Sequence, residues 1–279
     1  MTLKVLTVNI WHDQKPWPER ARLLRSWIDR LEPDLIGFQE VLAGEEINQT
    51  QELVGDRAYH TDYAPAMKFP DRGDLQLGNA IASRWPIFDR EEIRLPDRGD
   101  WEKRTALSVT VDSPYGAIGF TCTHLHWRFH HGSVREAQVA VLTARSWARR
   151  PDGGFPPIIV GDFNAEPESD EIRYVKGLHS MRGKSIAFLD AWEVAGDHSL
   201  PGEEGCGVTW SNRNAYARAE HEPRRRIDYI FAGLPGPNGI GEIESCRVVC
   251  NEAADGVWPT DHFGVFAQLR TGKAGGPDQ

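Results

Sequence analysis

Six segments of this chain set a polar side chain against the end or start of an apolar run. Asn9 ends "LKVLTVN", Glu40 ends "DLIGFQE", and His124 ends "FTCTH". Asp162 and Asn164 follow "IIVG", Asp228 lies inside "RIDYIF", and Asp261 with His262 precedes "FGVF". A carboxylate, amide or imidazole in such a place costs free energy unless it is paired or bound to a cation. One instance is ordinarily a satisfied structural group. A whole set from one chemical class favours convergence on a single site. In "GDFN" the period-two alternation of a strand points Asp162 and Asn164 the same way, and Gly161 permits a close approach to the backbone. A strand-to-helix turn capped by an Asx side chain would use the same residues.

The chemistry open to this set is narrow. Oxygens from Glu, Asp and Asn suit Mg²⁺, Mn²⁺ or Ca²⁺. No HExxH and no paired CxxC is present, so zinc is not indicated as the resident metal. Histidine and aspartate beyond the ligands can orient water and stabilise charge growing on a phosphoryl group. Metal-assisted attack of water on phosphorus is the simplest reaction that uses all of them.

Those residues need a scaffold. "LKVLTVNI" (3–10) alternates as a strand, and 18–31 carries Leu23, Leu24, Trp27, Ile28 and Leu31 at helical spacing, with Pro18 near the start. A second strand over 34–41 is expected to end in Gln39 and Glu40. Residues 78–95, 104–111 and 117–127 read as a run of strands. Residues 133–149 read as an amphipathic helix capped by Ser133. A strand at 157–161, a helix near 168–176 and strands near 208–211, 226–232, 243–250 and 262–269 complete the pattern. Strand–helix–strand order occurs twice among many strands that lack helices between them. Two packed sheets with helices outside fit that mixture better than a plain parallel sheet. No Gly-, Ser- or Pro-rich linker divides the chain. The expectation is one domain over 1–270 followed by a disordered tail at 271–279.

Composition narrows the partners. The chain has 279 residues, with 32 basic against 41 acidic ones and a formal charge of −9. A protein that holds long nucleic acid through its phosphates more often shows a basic surface. That weighs against a nonspecific DNA binder without excluding a nuclease. The apolar runs are only a few residues long, far short of the roughly 20 that cross a bilayer. The start goes directly into a strand pattern, so a cytoplasmic protein without stable membrane association, working as a monomer, is expected. Cys122, Cys206, Cys246 and Cys250 are too few and scattered for a disulfide framework.

The ordered blocks "TVNIW", "GFQEV", "GNAIASRWPI", "RTAL", "THLHW", "GDFN", "RIDYIF" and "TDHFGV" resemble the endonuclease/exonuclease/phosphatase (DNase I-like) superfamily. That superfamily includes nucleases, abasic-site endonucleases, deadenylases, neutral sphingomyelinases and inositol polyphosphate phosphatases. The resemblance runs from residue 3 to about 269. It implies an α/β (α+β) fold: a four-layer α/β/β/α sandwich, two mixed β-sheets flanked by helices, with the site at one edge of the sheets. It implies Glu40 as the principal Mg²⁺ ligand (Mn²⁺ a possible substitute), with Asn9 and Asp261 close to the metal or holding its waters. Asp162 would align and activate water, with Gly161 admitting the substrate and Asn164 steadying the water or a phosphate oxygen. His262 would donate to the scissile phosphate, and Asp228 would fix its tautomer and raise its basicity. His124 matches the second histidine of the DNase I-like and sphingomyelinase branches, and Arg104 a position that meets phosphate. Two blocks depart from the pattern: "TDH" stands for the commoner "SDH", and His126 occupies a position often filled by Asp, Asn or Ser. His124, His126, His130 and His131 offer imidazoles for a transition metal, but such a loop is more commonly solvent-facing, and that is the expectation.

Tryptophans border the motifs, and Trp11, Trp127 and Trp258 are expected to form an aromatic rim that stacks on a flat group beside the phosphate. Large rings capping the edges of a sandwich would look the same in sequence. "RRR" at 224–226 would draw an anionic substrate toward the cleft, unless it is a solvated loop. The function indicated is phosphodiester hydrolysis on a small phosphorylated molecule or short nucleic acid. A phosphomonoesterase and a non-catalytic binding module of the same fold remain the alternatives.

Overall fold

The computed structural model describes residues 1–68, 72–99, 101–152 and 154–272, so positions 273–279 of the expected tail lie outside the described residues. Alternating and fully apolar segments form β1 (Thr2–Asn9), β2 (Leu35–Ala43), β3 (His60–Lys68) and β4 (Gln76–Ser83). Then come β5 (Ile87–Arg94), β6 (Thr105–Ser113), β7 (Gly116–His124) and β8 (Ile158–Asp162). The last are β9 (Leu189–Asp190), β10 (Asp228–Ala232), β11 (Ile243–Val249) and β12 (Gly264–Arg270). They make two six-stranded sheets, ordered β11-β12-β1-β2-β4-β3 and β5-β6-β7-β8-β10-β9. Each sheet is mixed. β1 and β2 run parallel, joined by α1 (Trp17–Leu31), and β7 and β8 run parallel, joined by α3 (Gly132–Ala148).

Burial defines the four layers. Leu3, Val5, Ile81, Val109, Phe120, Val160, Ile230 and Val265 fill the space between the sheets. On one outer face Leu24, Ile28 and Leu31 of α1 pack on Leu6, Val8 and Phe38, beside α2 (Gln49–Val54). On the other, Val139 and Leu142 of α3 meet Ile159, Phe163 and Phe231, next to α4 (Asp170–Val175). This is the α/β/β/α sandwich expected from the sequence. The short helices α5 (Ala191–Ala195) and α6 (Ala215–Ala219) lie in the connections around β9 and β10. All four cysteines are free thiols.

Local departures from the expected elements have physical causes. β2 does not end at Glu40; it continues to Ala43 through a bulge between Phe38 and Val41. Ser133 is not the cap of α3, which starts at Gly132 behind His131 and has no side-chain cap bond. Residues 208–211 contribute an isolated bridge between Trp210 and Arg225 rather than a strand. The edge strand β3, half-buried and interrupted by Pro65, carries too weak an alternation to be read from sequence. No helix among the described residues is long and apolar enough to cross a membrane.

Candidate active site

Strand register delivers three of the site residues to one spot. His124 pairs with Asp162 across the parallel β7–β8 ladder, and Asp228 pairs with Asp162 across the antiparallel β10–β8 ladder. The second sheet thus ends in His124, Asp162 and Asp228, side by side. The first sheet reaches across from the end of β1: Asn9 Nδ2 donates to Asp162 Oδ2 at 3.2 Å and to Glu40 Oε1 at 3.2 Å. One amide therefore ties the two sheets together at their shared edge.

Asp162 Oδ2 is the centre of the network. Besides the Asn9 amide it faces His124 Nε2 at 3.3 Å and His262 Nε2 at 3.7 Å, while Oδ1 accepts from the backbone N–H of Asn164 at 2.9 Å. Burial pushes the Asp162 carboxyl up to about 7, with Asp228 adding to the rise and His262 opposing it. His262 Nδ1 bonds Asp228 Oδ2 at 3.0 Å. Burial disfavours the His262 imidazolium, but Asp228, Asp162 and Asp261 outweigh it and hold its pKa well above the ordinary histidine value. His124 goes the other way: burial and then the nearby Arg104 keep it well below that value, so it is neutral. One buried imidazolium and one buried neutral imidazole flank the same carboxylate.

Backbone strain aims the remaining groups. Glu40 sits in the β2 bulge at φ +56°, and Trp11 (+56°), His12 (+32°) and Asn164 (+50°) also hold left-handed conformations. Each costs a non-glycine residue on the order of 1–3 kcal/mol, and such outliers gather at functional sites. Asn164 Nδ2 donates to the Leu125 carbonyl at 3.2 Å, which locks it beside the Asp162 carboxylate. Gly161 serves a different purpose from the one expected. At φ +148° a Cβ there would stand 2.0 Å from the Thr123 carbonyl oxygen, so the close approach it permits is that of the neighbouring β7 backbone, not of a substrate. Asp261 is buried; burial, then the charge of Glu40, raises its carboxyl to about 6, with His262 and Arg20 opposing. Thr260, the hydroxyl of "TDH", donates to the Asn9 carbonyl at 2.7 Å and also faces Asp261 Oδ1 at 3.1 Å.

Two groupings here are candidates to hold a cation, and one of them is compact. Asp162, Asp228 and His262 present ligand atoms within 4.8 Å of one another. The Nδ1 of His262 is already engaged by Asp228 and its ring carries positive charge, which disfavours a cation among those three. The alternative donors are Glu40 and Asp261, hard oxygens of which the buried Asp261 is held above the carboxylate range by its burial and then by the charge of Glu40. That donor set fits a divalent cation of the Mg²⁺ or Mn²⁺ kind. Asn9, expected among the ligands, turns its oxygen to the backbone N–H of Trp11 at 3.0 Å, so its amide hydrogens, not its carbonyl, face the acidic groups.

The cavity over this network has a volume of about 380 Å³, bordered by Glu40, His124, Asp162, Asn164, Asp261 and His262, and also by Arg104, Trp11 and Trp127. Trp258 is not at its wall; the ring packs against Phe263 with centroids 5.8 Å apart, so proximity in sequence to Asp261 misplaced it. The 224–226 run is not a free patch either, since Arg226 pairs with Asp190 at 2.7 Å and Arg225 with Glu222, though Arg225 still borders the cavity. The His-rich loop also differs from expectation. His126 and His131 are buried and bonded to each other at 3.2 Å, and only His130 is exposed.

Sequence reasoning missed Glu102, Arg20, Lys68 and Trp101. Buried Glu102 accepts from Arg104 and from Trp127 Nε1 at 2.9 Å. Arg20, fully buried in α1, donates to the carbonyls of Ile10, Trp11, His12 and Gln14 and so shapes the loop after Asn9. Lys68 and Trp101 complete the cavity mouth. Only the "WEKR" charge cluster beside Arg104 hinted at any of these.

Two mixed six-stranded sheets with flanking helices are the fold of DNase I-like proteins, and the chain belongs to the endonuclease/exonuclease/phosphatase family, whose pattern matches residues 6–262 and whose members are typically phosphoester hydrolases. The likeness to particular proteins is distant. Nocturnin from Rattus norvegicus is 22% identical over 266 residues, covering 91% of this chain and 58% of that protein; the chain thus spans less than two thirds of that relative's length. The human nocturnin catalytic domain with bound sulfate anion superimposes with a TM-score of 0.71 at 20% identity, covering 96% of this chain and 93% of that one. D. rerio TDP2 complexed with single strand DNA product gives a TM-score of 0.73 at 21% identity, covering 96% and 99%. At such identities the likeness to the solved structures is one of fold.

Proposed function

We propose that this chain is a divalent-cation-dependent phosphodiesterase that hydrolyses a phosphate diester by attack of water on phosphorus. The observation that carries the reading is the convergence of Asn9, His124 and His262 on Asp162 Oδ2 beside Glu40 and Asp261. A Mg²⁺ or Mn²⁺ ion held by Glu40 and Asp261 would supply Lewis-acid polarisation of a phosphoryl oxygen. Asp162 takes the proton of the attacking water, and a carboxylate raised to about 7 is well matched to that task near neutral pH. His262, charged and fixed by Asp228, donates to the phosphoryl oxygens as negative charge grows on them. Neutral His124 and the backbone N–H of Asn164 fix the orientation of the Asp162 carboxylate, and Arg104 faces the phosphate from the cavity wall.

Trp11, Trp101 and Trp127 around the mouth favour a substrate with a flat group next to its phosphate, such as a nucleotide. The TDP2 structure that shares this fold holds a single-stranded DNA product, and the nocturnin domain a sulfate. Both support an anionic ligand, and the first a phosphate ester. The test is hydrolysis of bis-p-nitrophenyl phosphate against p-nitrophenyl phosphate with Mg²⁺ or Mn²⁺, with EDTA and Asp162→Asn as controls. Cleavage of the diester that both controls abolish is expected. Exclusive cleavage of the monoester would replace the proposal by a phosphomonoesterase, and no cation-dependent cleavage of either would leave a binding module.

A further inference from the structure

We infer that a groove beside the catalytic cavity binds a second phosphate of the same substrate, one step along a nucleotide backbone. The inference rests on the phosphodiesterase reading and extends it. The groove, with a volume of about 380 Å³, opens where β3 and β5, the outermost strands of the two sheets on that side, come to their ends. Met67, Lys68 and Arg104 border both this groove and the catalytic cavity, so an extended ligand passes from one to the other along a continuous wall.

The groove carries more basic than acidic side chains, against the acidic balance of the chain as a whole. Lys68, Arg94, Lys103 and Arg104 line it, against Glu92 and Asp97. Lys103 is occupied by Asp97 at 2.9 Å and Arg104 by Glu102. Neither the Lys68 nor the Arg94 side chain has an ion-pair or hydrogen-bond partner among the described residues, while the other acid of the groove, Glu92, is 3.9 Å from Arg90. Most arginines of this chain are tied to carboxylates, and the sequence carries a net −9. Two uncommitted cations facing one groove that joins the catalytic cavity match an anion, and the anion that a diester substrate brings there is its next phosphate.

The experiment measures binding of a 5′-fluorescein-labelled tetrathymidylate by anisotropy, in the Asp162→Asn background so that the probe stays intact. Arg94→Glu is expected to weaken binding about tenfold at low salt and to flatten the salt dependence by about one phosphate contact. Glu92→Gln is expected to tighten binding about two- to threefold, a gain that loss of folding does not produce. Inorganic phosphate, titrated as a competitor, is expected to show no dependence on Arg94. Equal affinity in parent and variants, or no binding by the parent, overturns the proposal. An Arg94 effect as large on inorganic phosphate as on the oligonucleotide also overturns it, because the groove is then a free-anion site. Bis-p-nitrophenyl phosphate hydrolysis by the unaltered chain separates failure of this inference from failure of the phosphodiesterase reading.

Discussion

Trp127 is fastened to Glu102: its indole Nε1 donates to Oε2 at 2.9 Å, while the other oxygen of the same buried carboxylate takes the Arg104 guanidinium. One acidic group thus sets the position of a ring and of a cation that both face the cavity. Glu102→Gln keeps the shape but cannot accept from both partners with full charge. A charge-assisted bond is worth about 1.5–3 kcal/mol, part of which remains with the amide, so KM for a nucleotide diester should rise about three- to tenfold. Steady-state kinetics checks this, with kcat changing less than KM. An unchanged KM would show that the two side chains hold their places without Glu102.

Asp228→Asn removes a main source of positive charge on His262. In the parent, burial opposes the imidazolium and three carboxylates, Asp228 foremost, more than compensate. His262 works while protonated, so activity falls as pH rises through its raised pKa. With Asp228 neutral that pKa drops, and the alkaline limb of the pH–kcat profile moves to lower pH. Loss of such a positioning carboxylate is expected to reduce kcat about 10–100-fold near neutral pH. A profile whose alkaline limb stays in place would mean that His262 is not the group responsible.

Cation binding should release protons. Burial holds Asp261 at about 6 in the cation-free site, so it is partly protonated in slightly acidic buffer. Ligation needs the ionised forms. Affinity for Mn²⁺ is therefore weak below pH 6 and rises as pH passes through this value, because fewer protons remain to be displaced. Calorimetry in two buffers of different ionisation enthalpy measures the effect directly. A buffer-independent heat at pH 6 would contradict it.

Gly161→Ala places a methyl 2.0 Å from the Thr123 carbonyl oxygen, between two paired strands that have no room to part. A backbone clash of this kind is expected to cost at least about 2 kcal/mol, lowering Tm by at least about 3 °C in a chain of 279 residues. Thermal unfolding decides it. A Tm within 1–2 °C of the parent would show that the β7–β8 pair yields about as readily as a surface loop.

Much of the sandwich was legible because β1, β7, β8 and β10 each combine an apolar run with a polar terminus, and the polar termini are the site. What sequence hid falls into two kinds. Glu40 reads as the last residue of a strand, yet it reaches the cavity from a bulge that needs a left-handed glutamate, a conformation that no residue type announces. Glu102 and Arg20 read as ordinary members of a charged loop and a helix, and their roles arise from partners distant in the chain or turned inward. Trp258 shows the converse: nearness to Asp261 in sequence says nothing of ring direction, and Phe263 claims the ring.

The left-handed cluster of Trp11, His12, Glu40 and Asn164 has a consequence for anyone engineering this protein. Replacing each by glycine would relax the main chain, since glycine adopts that conformation freely, though Trp11 and Asn164 would also forfeit the Tyr216 ring contact and the Leu125 hydrogen bond. Every one of those replacements would also erase a group that borders the cleft. Main-chain ease and the chemistry of the cleft are therefore set against each other at these four positions, and heat-tolerant variants are better sought in the helices far from the sheet edge.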